Sequence, residues 1–259
     1  DLRDRPGMDV PPHPHTGLQT VSWLFQGDID HRDSLGTHAP VRPGELNLMT
    51  AGAGIAHSEV GFADTTTLHG AQLWVALPDD ARHGPRRFEH VAPEPFGLGH
   101  ATVRVFIGSL AGSASPATVF SPLVGAQLDL PAGGAVTVPA DPGFEHGLLV
   151  DAGDVTLDGV AVPRHHLAYA PTGRASLTIA AASDARLLLI GGEPFSERIV
   201  MWWNFIGRSH DEIVAFREQW QREVIAGQNP DGRFGSVRGY DGPPLPAPEL
   251  PNIRLRPRE

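Results

Sequence analysis

"PPHPHTGLQTVSWLFQGDID", Pro11 to Asp30, sets Val21, Trp23 and Phe25 against Thr20, Ser22 and Leu24 before a Gly27-Asp28 turn. An apolar period of two that ends on Gly-Asp and resumes as "IDHRDS" is a hairpin signal. Upstream of the strand, Pro14 disfavours helical geometry at His13, and in an extended segment residues i and i+2 project to one side. His13 and His15 are therefore read as a pair on one face, either polar residues of an entry loop or half of a metal site.

Working outward, short apolar runs broken by Gly or Pro recur along the chain: "ELNLMT", "GAQLWVALP", "ATVRVFIG", "AQLDLPAGGAVTV", "GLLVDAGDVTLDG", "ASLTIAAA" and "RLLLIGG". Many short strands at this spacing imply a mostly β protein built as sandwiches or barrels. The Gly/Ser/Pro-rich "GSLAGSASPAT", residues 108–118, reads as a linker between two strand-rich halves. Ser209 to about Val224 is expected as a helix: Ser209 and Glu212 fit a capping box, and Ile213, Phe216, Trp220 and Val224 share a face. The tail "GPPLPAPELPNIRLRPRE" is too rich in Pro for helix or central strand and is expected to lie extended over the surface. These readings divide the chain into residues 1–110, 111–207 and 208–259.

The composition narrows the chemistry. There is no Cys among the 259 residues, so a disulfide framework, a thiolate nucleophile and a Cys-ligated metal are all excluded. Twenty Lys and Arg against 30 Asp and Glu give a formal charge of −10, which repels a phosphate backbone, so direct nucleic-acid binding is not expected. No 18-residue apolar segment is present, so no membrane span is expected and the cytoplasm is the default compartment. The chain opens at Asp1 without a Met, close to the first motif, and a natural N-terminal segment is a possible omission.

A second pair shares the spacing of the first: His57 and Glu59 in "AHSEV", preceded by Gly52 and Gly54, which permit a tight turn or bulge. If the two strands are neighbours, three imidazoles and one carboxylate converge. Such a set suits Fe, Mn, Ni, Cu or Zn better than Ca or Mg, and in an octahedral ion it leaves two positions open for chemistry. Surface histidines are the plain alternative for each pair taken alone. His146 in "FEHG" and the "RHH" at 164–166 have neighbours pointing to opposite strand faces and are read as surface or turn residues. His31 is read as bonding within its hairpin, and Trp23, Phe25 and Met49 as core.

"PPHPHTGLQTVSWLFQGDIDHRDSLG" followed by "VRPGELNLMTAGAGIAHSE" also resembles the N-terminal signature of the pirin family, within the cupin superfamily, and "GGEPFSERIVMWWNFIGRSHDEI" resembles that family's later segment. The resemblance implies a bicupin, two cupin-type β-barrels with a C-terminal helix and an extended Pro-rich tail. It implies one iron, Fe(II) or Fe(III), in the N-terminal barrel on His13, His15, His57 and Glu59, and a metal-free second barrel. Where pirins often carry Glu, this chain has Gln19, a poor ligand, so Glu59 must supply the carboxylate while Gln19 orients a ligand. Some pirins resemble flavonol dioxygenases that open quercetin with O2, a chemistry in which Glu59 would alternate between metal ligand and base for the flavonol hydroxyl. Others are implicated as iron-dependent regulators acting through protein contacts. A structural bicupin with an incidental metal is the third possibility.

Overall fold

The computed structural model describes residues 7–257. The chain forms two compact units, Asp1–His90 with Ser196–Glu259, and Val91–Phe195. Both are built on pairs of antiparallel sheets, the bicupin organisation.

In the first unit the strands are β1 (Asp9–His15), β2 (Leu18–Gln26), β3 (Ile29–Asp33), β4 (His38–Val41), β5 (Leu46–Thr50), β6 (Ile55–Gly61), β7 (His69–Ala76) and β8 (Arg87–Val91). They pair in the orders β1-β6-β3-β4 and β7-β2-β5-β8. The alternation read from residues 20–25 becomes β2, whose Val21 and Trp23 are buried with Met49 of β5, while Phe25 is half-buried at the strand end. Register on either side of β6 decides what the site contains: His13 lies opposite His57 across β1, and His31 opposite Glu59 across β3.

The second unit holds β9 (Phe96–Leu98), β10 (Ala101–Leu110), β11 (Ser113–Ala114), β12 (Leu123–Leu130), β13 (Ala135–Pro139), β14 (Glu145–Ala152), β15 (Val155–Leu157), β16 (Val160–Val162), β17 (Leu167–Ala170), β18 (Ser176–Ala181) and β19 (Ala185–Gly192). One sheet runs β11-β10-β12-β19-β14-β17 with β9 against β10, and the other β13-β18-β15-β16. Val103, Leu128, Val138, Leu177 and Leu187 fill the space these sheets enclose.

The rest of the chain returns to the first unit as β20 (Val200–Trp202), β21 (Phe205–Gly207) and α1 (His210–Trp220). Ser209 caps α1 by accepting from the Glu212 N–H at 3.2 Å, and Ile213, Phe216 and Trp220 are buried, as the capping and periodicity predict. The Glu212 carboxylate accepts from the Arg208 N–H at 2.6 Å, so the return arm of the box is displaced by one residue. Beyond Trp220 the helix widens into a π turn, Gln221–Ile225. Ile213, Phe216 and Trp220 form one apolar cluster with Ala56, so one face of β6 is covered by this segment while His57 and Glu59 turn to the other. The tail is extended, and its Leu245 N–H donates to the Pro12 carbonyl at 2.9 Å, next to His13.

The linker reading of residues 108–118 requires correction. Gly108 takes a positive φ of 71° at the end of β10, and a Cβ there would run into the Leu123 carbonyl, so the glycine serves a close strand approach rather than flexibility. Residues 109 and 110 pair with 113 and 114 in a hairpin of the second unit. The chain passes between units at residues 90 and 91, and residues 196–259 join the first unit, so the expected borders at 110 and 207 do not follow the packing. The expectations about Asp1 and the last two residues lie outside the described residues.

Candidate metal centre

Pro14 and the pleat of β1 carry His13 and His15 to one face, and β6 presents His57 opposite them. The three rings lie 4.3 to 5.0 Å apart between centroids. Each offers one nitrogen within 4.8 Å of the others. A second trio meets the same limit, His31, His57 and Glu59, with His57 shared. All five side chains are buried, His13 being the most accessible at 7%.

Ring orientation is set by backbone carbonyls. Nδ1 of His13 donates to the Pro11 carbonyl at 3.0 Å, and Nδ1 of His15 to the Asn204 carbonyl at 3.2 Å, the latter from the turn between β20 and β21. With the hydrogen on Nδ1, Nε2 of both rings is left as a lone-pair donor, the tautomer a metal requires. Nε2 of His15 lies 3.0 Å from Nε2 of His57. Trp74 meets the His15 ring edge-on at 5.2 Å.

Burial keeps these imidazoles neutral. His13 is lowered to about 4, principally by desolvation and against the favourable Pro11 contact. His15 and His57 are held well below the usual imidazole range by burial and then by neighbouring imidazoles. Glu59 moves the other way, raised by burial and only partly offset by the Gln72 amide, which donates to Oε1 at 2.7 Å. Three neutral nitrogen donors and a carboxylate fit a first-row transition ion, and a bound divalent charge would reverse the penalty on ionised Glu59.

The four residues expected as ligands therefore occupy one neighbourhood, with His13, His15 and His57 in one trio and Glu59 joined to it through His57. His31 bonds within its hairpin as read, its Nε2 lying 3.4 Å from Asp33 Oδ2; it is also 3% exposed, lies 3.4 Å from His57 between Nδ1 atoms and stacks on Phe88, while Asp33 Oδ1 accepts from the Leu35 and Thr37 N–H groups. Gln19 donates to Thr50 Oγ1 at 2.9 Å, and the Gln72 amide donates to Glu59 Oε1. The alternation of buried Ile29, His31 and Asp33 with Asp30 and Arg32 was a local signal that His31 faces inward. Gln72 gave none, because its approach to Glu59 depends on pairing β7 with β2.

In the second unit His146 is buried in β14 at 3% exposure, not on the surface, because Gly191 opposite it on β19 leaves room for its ring. Residues 164–166 are exposed, as expected. Among the described residues, the only groupings of three or more His, Cys, Asp or Glu that satisfy the 4.8 Å limit are the two trios of the first unit. No described helix is long and apolar enough to cross a membrane.

The family model described as Pirin matches residues 2–75, and that described as Pirin C-terminal cupin domain matches residues 125–226. A Pseudomonas aeruginosa protein named "Putative quercetin 2,3-dioxygenase" is 42% identical over 95% of this chain and 76% of its own length. A pirin-like protein of Caulobacter vibrioides is 35% identical over 82% of this chain and 75% of its own. Among solved structures, a quercetin 2,3-dioxygenase from Acinetobacter baumannii superposes with a TM-score of 0.89 at 38% identity, covering 96% of this chain and 82% of that one.

Proposed function

Because this chain belongs to the pirin family of the cupin superfamily, we propose that it is a mononuclear iron oxygenase that opens a flavonol ring with O2. The observation that carries this reading is the cluster of buried neutral imidazoles with Glu59 beside them, on a chain similar to proteins named for quercetin dioxygenation. His13, His15 and His57 would hold the ion, with Glu59 as its carboxylate ligand. Other divalent transition ions fit the same donors. When bound, the iron supplies Lewis acidity toward the flavonol oxygen and one-electron exchange with O2.

The remaining steps belong to the chain. Glu59, with its proton affinity raised by burial, accepts the flavonol 3-hydroxyl proton and so alternates between ligand and base. Gln72 holds its Oε1 during that exchange. Near-complete burial of His15 and His57 keeps water from the ligand face. The cytoplasm is the compartment assigned with this reading.

Anaerobic loading with Fe(II), followed by quercetin and O2, tests the proposal through loss of the flavonol absorbance. The wild type should turn over quercetin, and His13→Ala and Glu59→Ala should lose at least about 100-fold in rate. A wild type no faster than these variants removes the dioxygenase reading. In that case the metal site would stand and the regulatory alternative, acting through protein partners, would be preferred.

A further inference from the structure

Asp33 and His31 are buried at 1% and 3% exposure beside the proposed ligands, and a four-ligand site gives neither a part in holding the ion. Their contacts form a line. Asp33 Oδ2 lies 3.4 Å from His31 Nε2, and His31 Nδ1 lies 3.4 Å from His57 Nδ1. His57 Nε2 in turn lies 3.0 Å from His15 Nε2. The two 3.4 Å contacts are at the long end of the hydrogen-bond range, and one direction of donation along the line satisfies both.

That direction follows from the acceptor at the end of the line. An ionised carboxylate only accepts, and Asp33 is fixed by the Leu35 and Thr37 N–H groups at 2.8 and 3.1 Å on its other oxygen. The His31 hydrogen therefore sits on Nε2, and Nδ1 of His31 is a lone pair. His57 donates to it from Nδ1, which leaves a lone pair on His57 Nε2. His15 also presents a lone pair at Nε2, since its Nδ1 hydrogen is committed to the Asn204 carbonyl. A cation shared by His15 and His57 is the partner both lone pairs suit, and His13 supplies a third.

We propose that Asp33 and His31 are positioning residues, an outer hydrogen-bonded chain that fixes His57 in the tautomer whose Nε2 ligates the metal. The proposal rests on the metal-site reading above and deepens it. His31 acts through His57 without itself coordinating the ion, and its stacking on Phe88 at 4.9 Å holds the ring in line.

Asp33→Asn tests the polarity of the chain. Its amide oxygen preserves an acceptor for the Leu35 and Thr37 N–H groups, while its NH2 faces His31 Nε2 and reverses donation, placing a hydrogen on His57 Nε2. Affinity for Co(II), measured by chelator competition on the full chain, should fall 10- to 100-fold, the usual cost of losing an outer-shell partner of a ligating histidine. His31→Leu should lose as much. His31→Asn, whose Oδ1 falls where Nδ1 stood, should recover to within about fivefold of wild type. Proton NMR of the Co(II) form should show three strongly shifted exchangeable imidazole N–H signals in the wild type, unchanged in number in His31→Asn.

Affinity within twofold of wild type in Asp33→Asn and His31→Leu would overturn the chain. Four shifted signals in the wild type, with one lost on replacing His31, would make His31 a ligand instead. A wild type that binds no Co(II) would remove the site and the chain together. If His31→Leu does not fold, Asp33→Asn and His31→Asn, checked by urea unfolding without metal, carry the test alone.

Discussion

At the scale of single residues, burial has opposite consequences for imidazole and carboxylate. The folded imidazole of His13 titrates at about 4 against an ordinary 6.5, so between those values the unfolded chain binds a proton that the folded one refuses. Stability of the metal-free protein must therefore rise with pH across this window and fall as the solution is acidified. From pH 6.5 to 5 the loss should be about 1.5 kcal/mol from His13 alone, with His15 and His57 adding to it. Urea midpoints at the two pH values measure it, and His13→Gln should flatten the slope; an equal slope in that variant would contradict the assignment. Gln72→Leu tests the carboxylate: it removes the 2.7 Å donor to Glu59, so the Glu59 proton affinity should rise further and the pH optimum of quercetin turnover move upward. His13, His15, His57 and Glu59 could be nominated from the sequence because spacing i, i+2 on a strand is a local signal and the resemblance joins the two pairs. Asp33 and Gln72 were not singled out, and His31 was read only within its hairpin, because their contacts with the cluster arise from strand register, which a local pattern does not contain.

At the scale of elements, the turn before β6 is as demanding as the ligands on it. Gly52 has a positive φ of 52°, and a Cβ there would meet the Gly84 carbonyl, so Gly52→Ala should cost about 2 kcal/mol or more and displace β6. Thermal unfolding and Co(II) affinity should both decline in that variant. Ser209→Ala removes the α1 cap and should cost about 1 kcal/mol while leaving metal affinity nearly unchanged. A loss of metal in the capping variant would place α1 closer to the site than its contacts imply. The helix was legible because capping and a 3.6-residue face are written locally. Residues 108–118 misled because a glycine needed for close strand approach has the same composition as one in a flexible linker.

At the scale of the whole molecule, the unit that carries the imidazole cluster is discontinuous in sequence, with residues 196–259 returning to residues 1–90. That return supplies the Asn204 carbonyl to His15 and the Leu245 N–H to Pro12. Two strand-rich halves were visible in the alternation of strands and turns, whereas this return involves pairings of nearly 200 residues' separation in sequence, as between His15 and Asn204. Metal binding should accordingly stabilise one unit, by about 2.7 kcal/mol at a free metal concentration 100 times the Kd. Hydrogen exchange should show the added protection in residues 7–90 and 196–257, with residues 91–195 little changed. The central claim is that His13, His15, His57 and Glu59 hold a single ion. Anomalous diffraction at the iron edge from crystals loaded anaerobically with Fe(II) tests it most directly. The account predicts one peak bounded by those four side chains; a peak bounded by other residues, or none in the first unit after loading, would contradict it.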